Sequence, residues 1–423
     1  MKKGFVSSLG ALLISSGSVL AQTQPTLPPS SCVPSALGAP IVTEGLNAKG
    51  PSDCWDNKCC TPVSRFWSSA EYLYWRVNNA PIRVPLVTLN NDPTTIGALN
   101  EPGTTILFGA GSGVNANFGW FSGGRVTVGG WLDGDHQFGA EVSGFLLENR
   151  TVQFGSSSVG TINGGPVLSV PFTATQPFGF NPAGPTSLNS GGGPNNIGVA
   201  LTSRLWGAEG NGVINFFAND RVHVVGLIGF RYLDLLENLT LTDTFLDPAT
   251  NLAINVTDGF GTRNQFYGGQ IGARFDVNFG RFNLETTGKV ALGNNHETLN
   301  IVGSTNVPAG AFGLPASTTP AGTFAEPSNS GRFNRNVFAV VPEVTVKLGF
   351  AVTQHVQSFV GYNFLYLNNS ARPGNQIDSN VNPTQSAFFV PPGTLMGLPA
   401  PVPSFLRSSF VAQGVNFGVE FKY

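Results

Sequence analysis

Charged side chains are scarce in this sequence, so the places where they recur carry information. Lys, Arg, Asp and Glu make up 11% of 423 residues and the net charge is −2. Several stand at every second position. Gln270, Gly272, Arg274 and Asp276 are opposed by Tyr267, Ile271, Ala273, Phe275 and Val277. Asn283, Glu285, Thr287 and Lys289 are set against Phe282, Leu284, Val290 and Leu292, and Glu343, Thr345 and Lys347 against Val344, Val346, Leu348 and Phe350. Arg125, Glu141, Arg204 and Arg231 are further candidates for the same polar face. The chemistry open to them is electrostatic: they can select ions along a wet path, or neutralise one another in a salt-bridge ladder. Glu285 with Lys289, and Glu343 with Lys347, stand two places apart along one face. Both readings remain open from the sequence.

Other chemistries find little support. The histidines are His136, His223, His296 and His355. Only His296, in N-N-H-E-T at the start of an expected external loop, is placed for catalysis, and no serine motif accompanies it. Asp243, Asp247 and Asp258 lack a calcium-loop spacing. The G-x-G patterns follow no strand-to-helix context, so nucleotide binding is unsupported. No Lys/Arg cluster supplies a nucleic-acid footprint. The expectation is a non-enzyme with no metal and no cofactor.

A period of two requires strands, because successive side chains of a strand point to opposite faces. The C-terminal stretch 415–423, V-N-F-G-V-E-F-K-Y, shows it most clearly: Val415, Phe417, Val419, Phe421 and Tyr423 alternate with Asn416, Gly418, Glu420 and Lys422. Ten such strands are expected, at about 65–75, 124–132, 136–147, 199–217, 221–233, 266–279, 281–292, 337–352, 355–367 and 410–423. Connections after even strands are short, as in Asp133-Gly134-Asp135, a turn type that tolerates positive φ. Those after odd strands are long and rich in Pro, Gly, Asn, Ser and Thr, at about 76–123, 148–198, 234–265, 293–336 and 368–409. Phe66, Trp67, Tyr72, Tyr74 and Trp75 cluster at the two ends of the first strand like interfacial girdles.

These features together predict an all-β fold: a transmembrane antiparallel up-and-down β-barrel with long external loops and short periplasmic turns. Twelve strands are possible if 104–110 and the residues around 167–172 also pair in the wall. An Arg or Lys facing lipid at mid-depth costs roughly 2 to 4 kcal/mol, so the charged face should point inward. With about ten strands the interior is little wider than one that side chains can fill. Pro342 breaks the pattern of the eighth strand, since it cannot donate a ladder hydrogen bond.

The front of the chain has its own texture. Met1-Lys2-Lys3, an apolar run with Leu12, Leu13, Ile14, Val19 and Leu20, and Ala21 before Gln22 have the parts of a signal peptide over 1–21. Residues 22–64 are proline-rich and hold all four cysteines, Cys32, Cys54, Cys59 and Cys60. In an exported protein these are disulfide candidates, with Cys32 and Cys54 the expected partners of the adjacent pair. The barrel would occupy 65–423.

Four blocks carry specific wording: F-W-S-S-A-E-Y-L-Y-W-R-V-N-N-A-P-I-R-V-P-L-V-T from 66 to 88, E-P-G-T-T-I-L-F-G-A-G from 101 to 111, F-S-G-G-R-V-T-V-G-G-W-L-D from 121 to 133 and F-G-A-E-V-S-G-F-L-L-E from 138 to 148. Their order and spacing resemble the opening of the seventh beta-barrel porin family, and with the terminal strand the resemblance covers about 65–423. It implies an outer-membrane barrel in contact with outer-membrane lipid, and the alternating terminal strand ending on Tyr423 resembles the closing strand of outer-membrane barrels, the signal read by the barrel-assembly machinery. The family resemblance brings no catalytic or binding residues. The block at Glu101-Pro102-Gly103 either folds onto the barrel mouth or packs as a loop turn. The expected function is passive diffusion of small solutes. A non-conducting surface-interaction barrel and a carrier of apolar compounds are the alternatives.

Overall fold

Ten strands hydrogen-bond side by side, each antiparallel to the next, and the last returns to pair with the first. They are β1 (Phe66–Val77), β2 (Trp120–Trp131), β3 (Phe138–Leu147), β4 (Asn195–Ala218), β5 (Val222–Leu246), β6 (Ala253–Phe279), β7 (Phe282–Val307), β8 (Gly331–Ala351), β9 (Val356–Ala371) and β10 (Arg407–Lys422). Closure runs from Trp67 opposite Lys422 to Val77 opposite Ala412. The architecture comes from a computed structural model that describes residues 65–423 apart from 115, 178–181, 220 and 386–395. The signal-peptide and disulfide expectations, with Cys32, Cys54, Cys59 and Cys60, lie outside the described residues. No helix among the described residues is long and apolar enough to cross a membrane.

All ten expected strands are present, but β5, β6 and β7 are about twice as long as expected and β4 and β8 about five residues longer. β4 to β8 run for 24, 25, 27, 26 and 21 residues, where about nine to eleven cross a bilayer. Much of the expected long connections 234–265 and 293–336 is therefore strand, and β5 turns into β6 over 247–252. Arg150–Ser158 likewise continues beyond β3 along the far half of β4. His296 belongs to β7 rather than to a loop, and its Nδ1 lies 2.9 Å from Asn336 Oδ1.

The cause is an exchange of character between the two faces partway along each long strand. Toward the short turns, β6 turns Tyr267, Ile271 and Phe275 outward and Gln270, Arg274 and Asp276 inward. Toward the long-loop end the same outward face carries Asn255, Thr257 and Arg263, while Val256, Phe260 and Phe266 are buried inside. One half suits hydrocarbon outside and polar groups inside; the other suits water outside and an apolar core. The expected girdle of β1 divides accordingly. Phe66, Tyr72 and Tyr74 are exposed outside, whereas Trp75 is buried and Trp67 also faces in. Tyr74 stacks on Trp120 at 4.8 Å.

Inside the long-loop half lies a second, smaller sheet. Pro85–Asn90 pairs with Thr105–Gly109 and with Val167–Ala174, which also meets Gly184–Asn189 and Asn380–Val381. The segments that could have raised the wall to twelve strands pair here, so the wall has ten. Leu86, Phe108, Leu168 and Phe172 of this sheet join Trp75, Leu235, Phe260 and Phe410 of the wall in one apolar cluster. Each such side chain contributes roughly 1.5 to 3 kcal/mol on burial. Glu101 belongs to the packing of the loop: its carboxylate accepts the N–H groups of Ile96 at 3.0 Å and Ala98 at 2.8 Å.

The short turns have local causes. Asp133 accepts the N–H groups of Gln137 and Phe138 at 3.0 and 3.2 Å, and Gly280 takes φ 66° between β6 and β7. Pro342 is accommodated because the β8–β9 ladder stops at Glu343 opposite Leu365, beside it. Beyond that point Val340 N–H donates to the Asn368 side chain instead, at 2.9 Å.

Candidate functional site: the ion-pair layer of the lumen

Charged inward side chains of β1 to β8 meet across the lumen next to the apolar cluster. Glu343 of β8, 2% exposed, accepts Arg125 of β2 at 3.1 Å and Arg231 of β5 at contact distance, with Lys289 of β7 at 3.5 Å. Glu209 of β4 accepts Arg231 and Lys289. Glu141 of β3 holds both oxygens 2.8 Å from Arg274 of β6 and also accepts Trp67 Nε1 at 3.1 Å. Glu71 of β1 receives Lys347 of β8 at 2.9 Å and Asn416 of β10 at 3.0 Å.

Most of these partners are not neighbours in the wall. Arg125 and Glu343 are separated by three intervening strands, and Arg274 and Glu141 by two. Direct contact between such positions requires the side chains to reach across the interior and fill it. Two cavities within the layer measure about 50 and 10 Å³. The lumen is thus bridged by charge-assisted hydrogen bonds, which are stronger than neutral ones and mutually reinforcing where buried. Arg125 seals the layer to the apolar cluster, its guanidinium 5.3 Å from the Trp75 ring and 5.5 Å from Phe145.

Nine of the ten candidate lumen residues face inward: Arg125, Glu141, Arg231, Arg274, Asp276, Glu285, Lys289, Glu343 and Lys347. Arg204 does not. In β4 the inward parity belongs to Ser203, Leu205 and Glu209, which turns Arg204 outward with Thr202 and Trp206. The expected ladder along each strand is also replaced. β7 and β8 are registered so that Glu285 faces Lys347 and Lys289 faces Glu343, and the pairs form across strands, the first at 3.8 Å.

Sequence reasoning missed Glu71 and Glu209. The signal for Glu71 was its parity with Trp67, Ser69 and Leu73. Glu209 lies among the glycines of the fourth strand, which give little alternation to read. Of the expected terminal set, Val415, Phe417, Val419 and Phe421 lie on the outward face of the closing strand, with Asn416, Glu420 and Lys422 inward, and Tyr423 follows the strand, exposed and stacked on His355 at 5.6 Å.

A family described as "Putative beta barrel porin-7 (BBP7)" matches residues 67–423 of this chain. No curated protein matches it. Among solved structures, the outer membrane protease OmpT from Escherichia coli is similar over 85% of this chain and 97% of its own, at 10% identity and a TM-score of 0.42. A Pseudomonas aeruginosa FadL homologue is similar over 85% and 90%, at 8% identity and 0.20. An anion-selective porin from Comamonas acidovorans is similar over 84% and 100%, at 11% identity and 0.11. At these identities and TM-scores the likeness carries no functional weight.

Proposed function

The chain belongs to the beta barrel porin-7 family, and on that premise we propose that it is an outer-membrane porin with a resting lumen that is shut, passing small polar solutes only when the ion-pair layer parts. The observation that carries this reading is Glu343, a buried carboxylate gripped by cations from three other strands. Separating such a group from its partners inside a low-dielectric lumen is costly, so closure is the favoured state. The charged lining favours polar over apolar solutes; a carrier of apolar compounds would have to drive its cargo through this layer.

Single-channel conductance in planar bilayers tests it. The native protein should be mostly closed, and the double variant Arg231→Ser with Glu343→Ser should show stable steps that are severalfold larger and scale with salt. Heat-modifiable migration on gels verifies folding of both. Equal conductance in native and variant would overturn the gating role of the layer. Silence from both would favour a second reading, a permanently closed barrel that acts through its outer surface. One observation supports that alternative: the inner sheet and apolar cluster form a second closure above the ion pairs.

A further inference from the structure

Below the ion-pair layer the lumen widens into a cavity of about 240 Å³ at the periplasmic end. Its two sides differ in chemistry. On the β1–β2 side stand Trp67 and Trp131, ring centroids 5.6 Å apart and tilted by 58°. On the β6–β7 side stand Asp276 and Glu285, directly opposite each other in the strand register. Arg274 and His223 also line the cavity, and Glu420 and Lys422 of β10 complete the rim.

The aromatic side is fixed by its neighbours. Trp67 lies over Gly129, where a Cβ would come within 2.3 Å of the indole, so only glycine lets the ring lie flat against β2. Its Nε1 is committed to Glu141, which leaves the ring face as the group presented to the cavity.

The carboxylate side is under-compensated. Arg274 is taken by Glu141 at 2.8 Å, Lys347 by Glu71 at 2.9 Å, and Lys422 by Glu420 at 3.3 Å. Among the described residues Glu285 has one ion pair within 4.0 Å, with Lys347 at 3.8 Å, while Arg274 and Lys422 attract it from farther off. Asp276 has no Lys or Arg nitrogen within 4.0 Å among the described residues, and its nearest basic group is His223 Nδ1 at 3.9 Å. Like charges directly opposite on adjacent strands repel, and Arg274, the nearby guanidinium, is in contact with Glu141 instead, so this site stands to gain from one further cation.

We propose that this cavity binds a small organic cation, an amine or quaternary ammonium, with its charged head between the Trp67 and Trp131 rings and the Asp276 and Glu285 carboxylates. Tryptophan is the strongest cation–π partner among side chains, and the facing carboxylates add charge attraction that a neutral molecule of like shape cannot use. A simple metal ion fits less well, because half the lining is aromatic and apolar and no cluster of three metal-ligating side chains occurs among the described residues. The site lies below the closure and is reached from the periplasm, so binding does not depend on whether the lumen opens.

The test is an NMR titration of the folded full chain in detergent with tetramethylammonium, with tert-butanol as a neutral probe of similar size, at pH 8 so that imidazoles are neutral. Tetramethylammonium should bind at least about tenfold more tightly than tert-butanol, and Asp276→Asn and Trp131→Leu should each weaken it about tenfold, the loss expected from one charge or one desolvated cation–π contact. Asp276→Asn relieves the repulsion with Glu285 and should fold, as heat-modifiable migration would verify. Equal binding of the cation and the neutral probe overturns the proposal, as does unchanged affinity in either variant.

Discussion

Replacing Arg372 with alanine should destabilise the external half of the barrel by about 3 to 5 kcal/mol, the cost of leaving a buried partner charge uncompensated. Arg372 follows directly on β9, and its side chain is fully buried. Its guanidinium makes a two-point contact with Glu237 of β5, Nη2 to Oε1 at 2.9 Å and Nε to Oε2. Nη1 also donates to Asn78 Oδ1 at 3.2 Å, and the group lies 5.3 Å from the Phe410 ring. One side chain thus ties the start of the last long loop to β5, to the segment after β1 and to β10. Asn264 of β6 reinforces the same anchor, exchanging two 2.8 Å hydrogen bonds with the backbone of Ala371.

The measurement is limited proteolysis between Arg372 and Arg407 in the folded, detergent-solubilised protein. Arg372→Ala should accelerate cleavage strongly. The paired substitution Arg372→Met with Glu237→Leu should restore much of the resistance, because exchanging a buried ion pair for apolar groups of similar volume is often neutral or stabilising. Cleavage of Arg372→Ala at the native rate would show that the loop is held by its apolar contacts alone.

The legible part of this fold was its lower half. Where a strand crosses the bilayer, outward apolar and inward polar residues alternate without interruption, and β6, β7, β8 and β10 could be read almost to the residue. Beyond Tyr267 on β6 and Leu292 on β7 the apolar residues move to the opposite parity, so a reading that follows one apolar face sees the strand end. The site was legible to the same depth. Parity alone placed nine lumen charges on the inward face and, had it been applied to β4, would have excluded Arg204 and found Glu209. Partners were not legible. Ion pairing across a lumen depends on strand register and ring position, neither of which is written locally, so a ladder along each strand was expected where cross-lumen pairs form. The inner sheet was hidden for a related reason: its strands are short, rich in Pro and Gly, and pair across long sequence separations.

Raising the pH from 5 to above 8 should loosen the external extension of β5 and β6. Asp243 of β5 is 1% exposed, and neither of its oxygens accepts a well-formed hydrogen bond among the described residues. Asp258 of β6, also buried, lies diagonally opposite on the same inward face and accepts the N–H groups of Thr323, Phe324 and Ala325. Both lie well beyond the outward apolar band, on the water-facing part of the barrel. Burial, and then the nearby Asp258 carboxylate, push Asp243 up to about 8, with the Asn195 side chain offsetting part of this. Burial raises Asp258 to about 6 against those three N–H donors. Each folded value lies above the unfolded one, so between about pH 4 and the raised value the native state holds a proton that the opened state has released. Stability therefore falls as pH rises through this window, by on the order of 5 kcal/mol for Asp243 when the window is fully crossed. Amide hydrogen exchange over 241–258 and 322–326, corrected for intrinsic rates, should report easier opening at pH 8.5 than at pH 5. Asp243→Asn, which keeps the shape and removes the titration, should flatten that dependence and protect the segment at high pH. Equal protection at both pH values, or an undiminished slope in Asp243→Asn, would mean that the carboxylate is not held neutral in the fold.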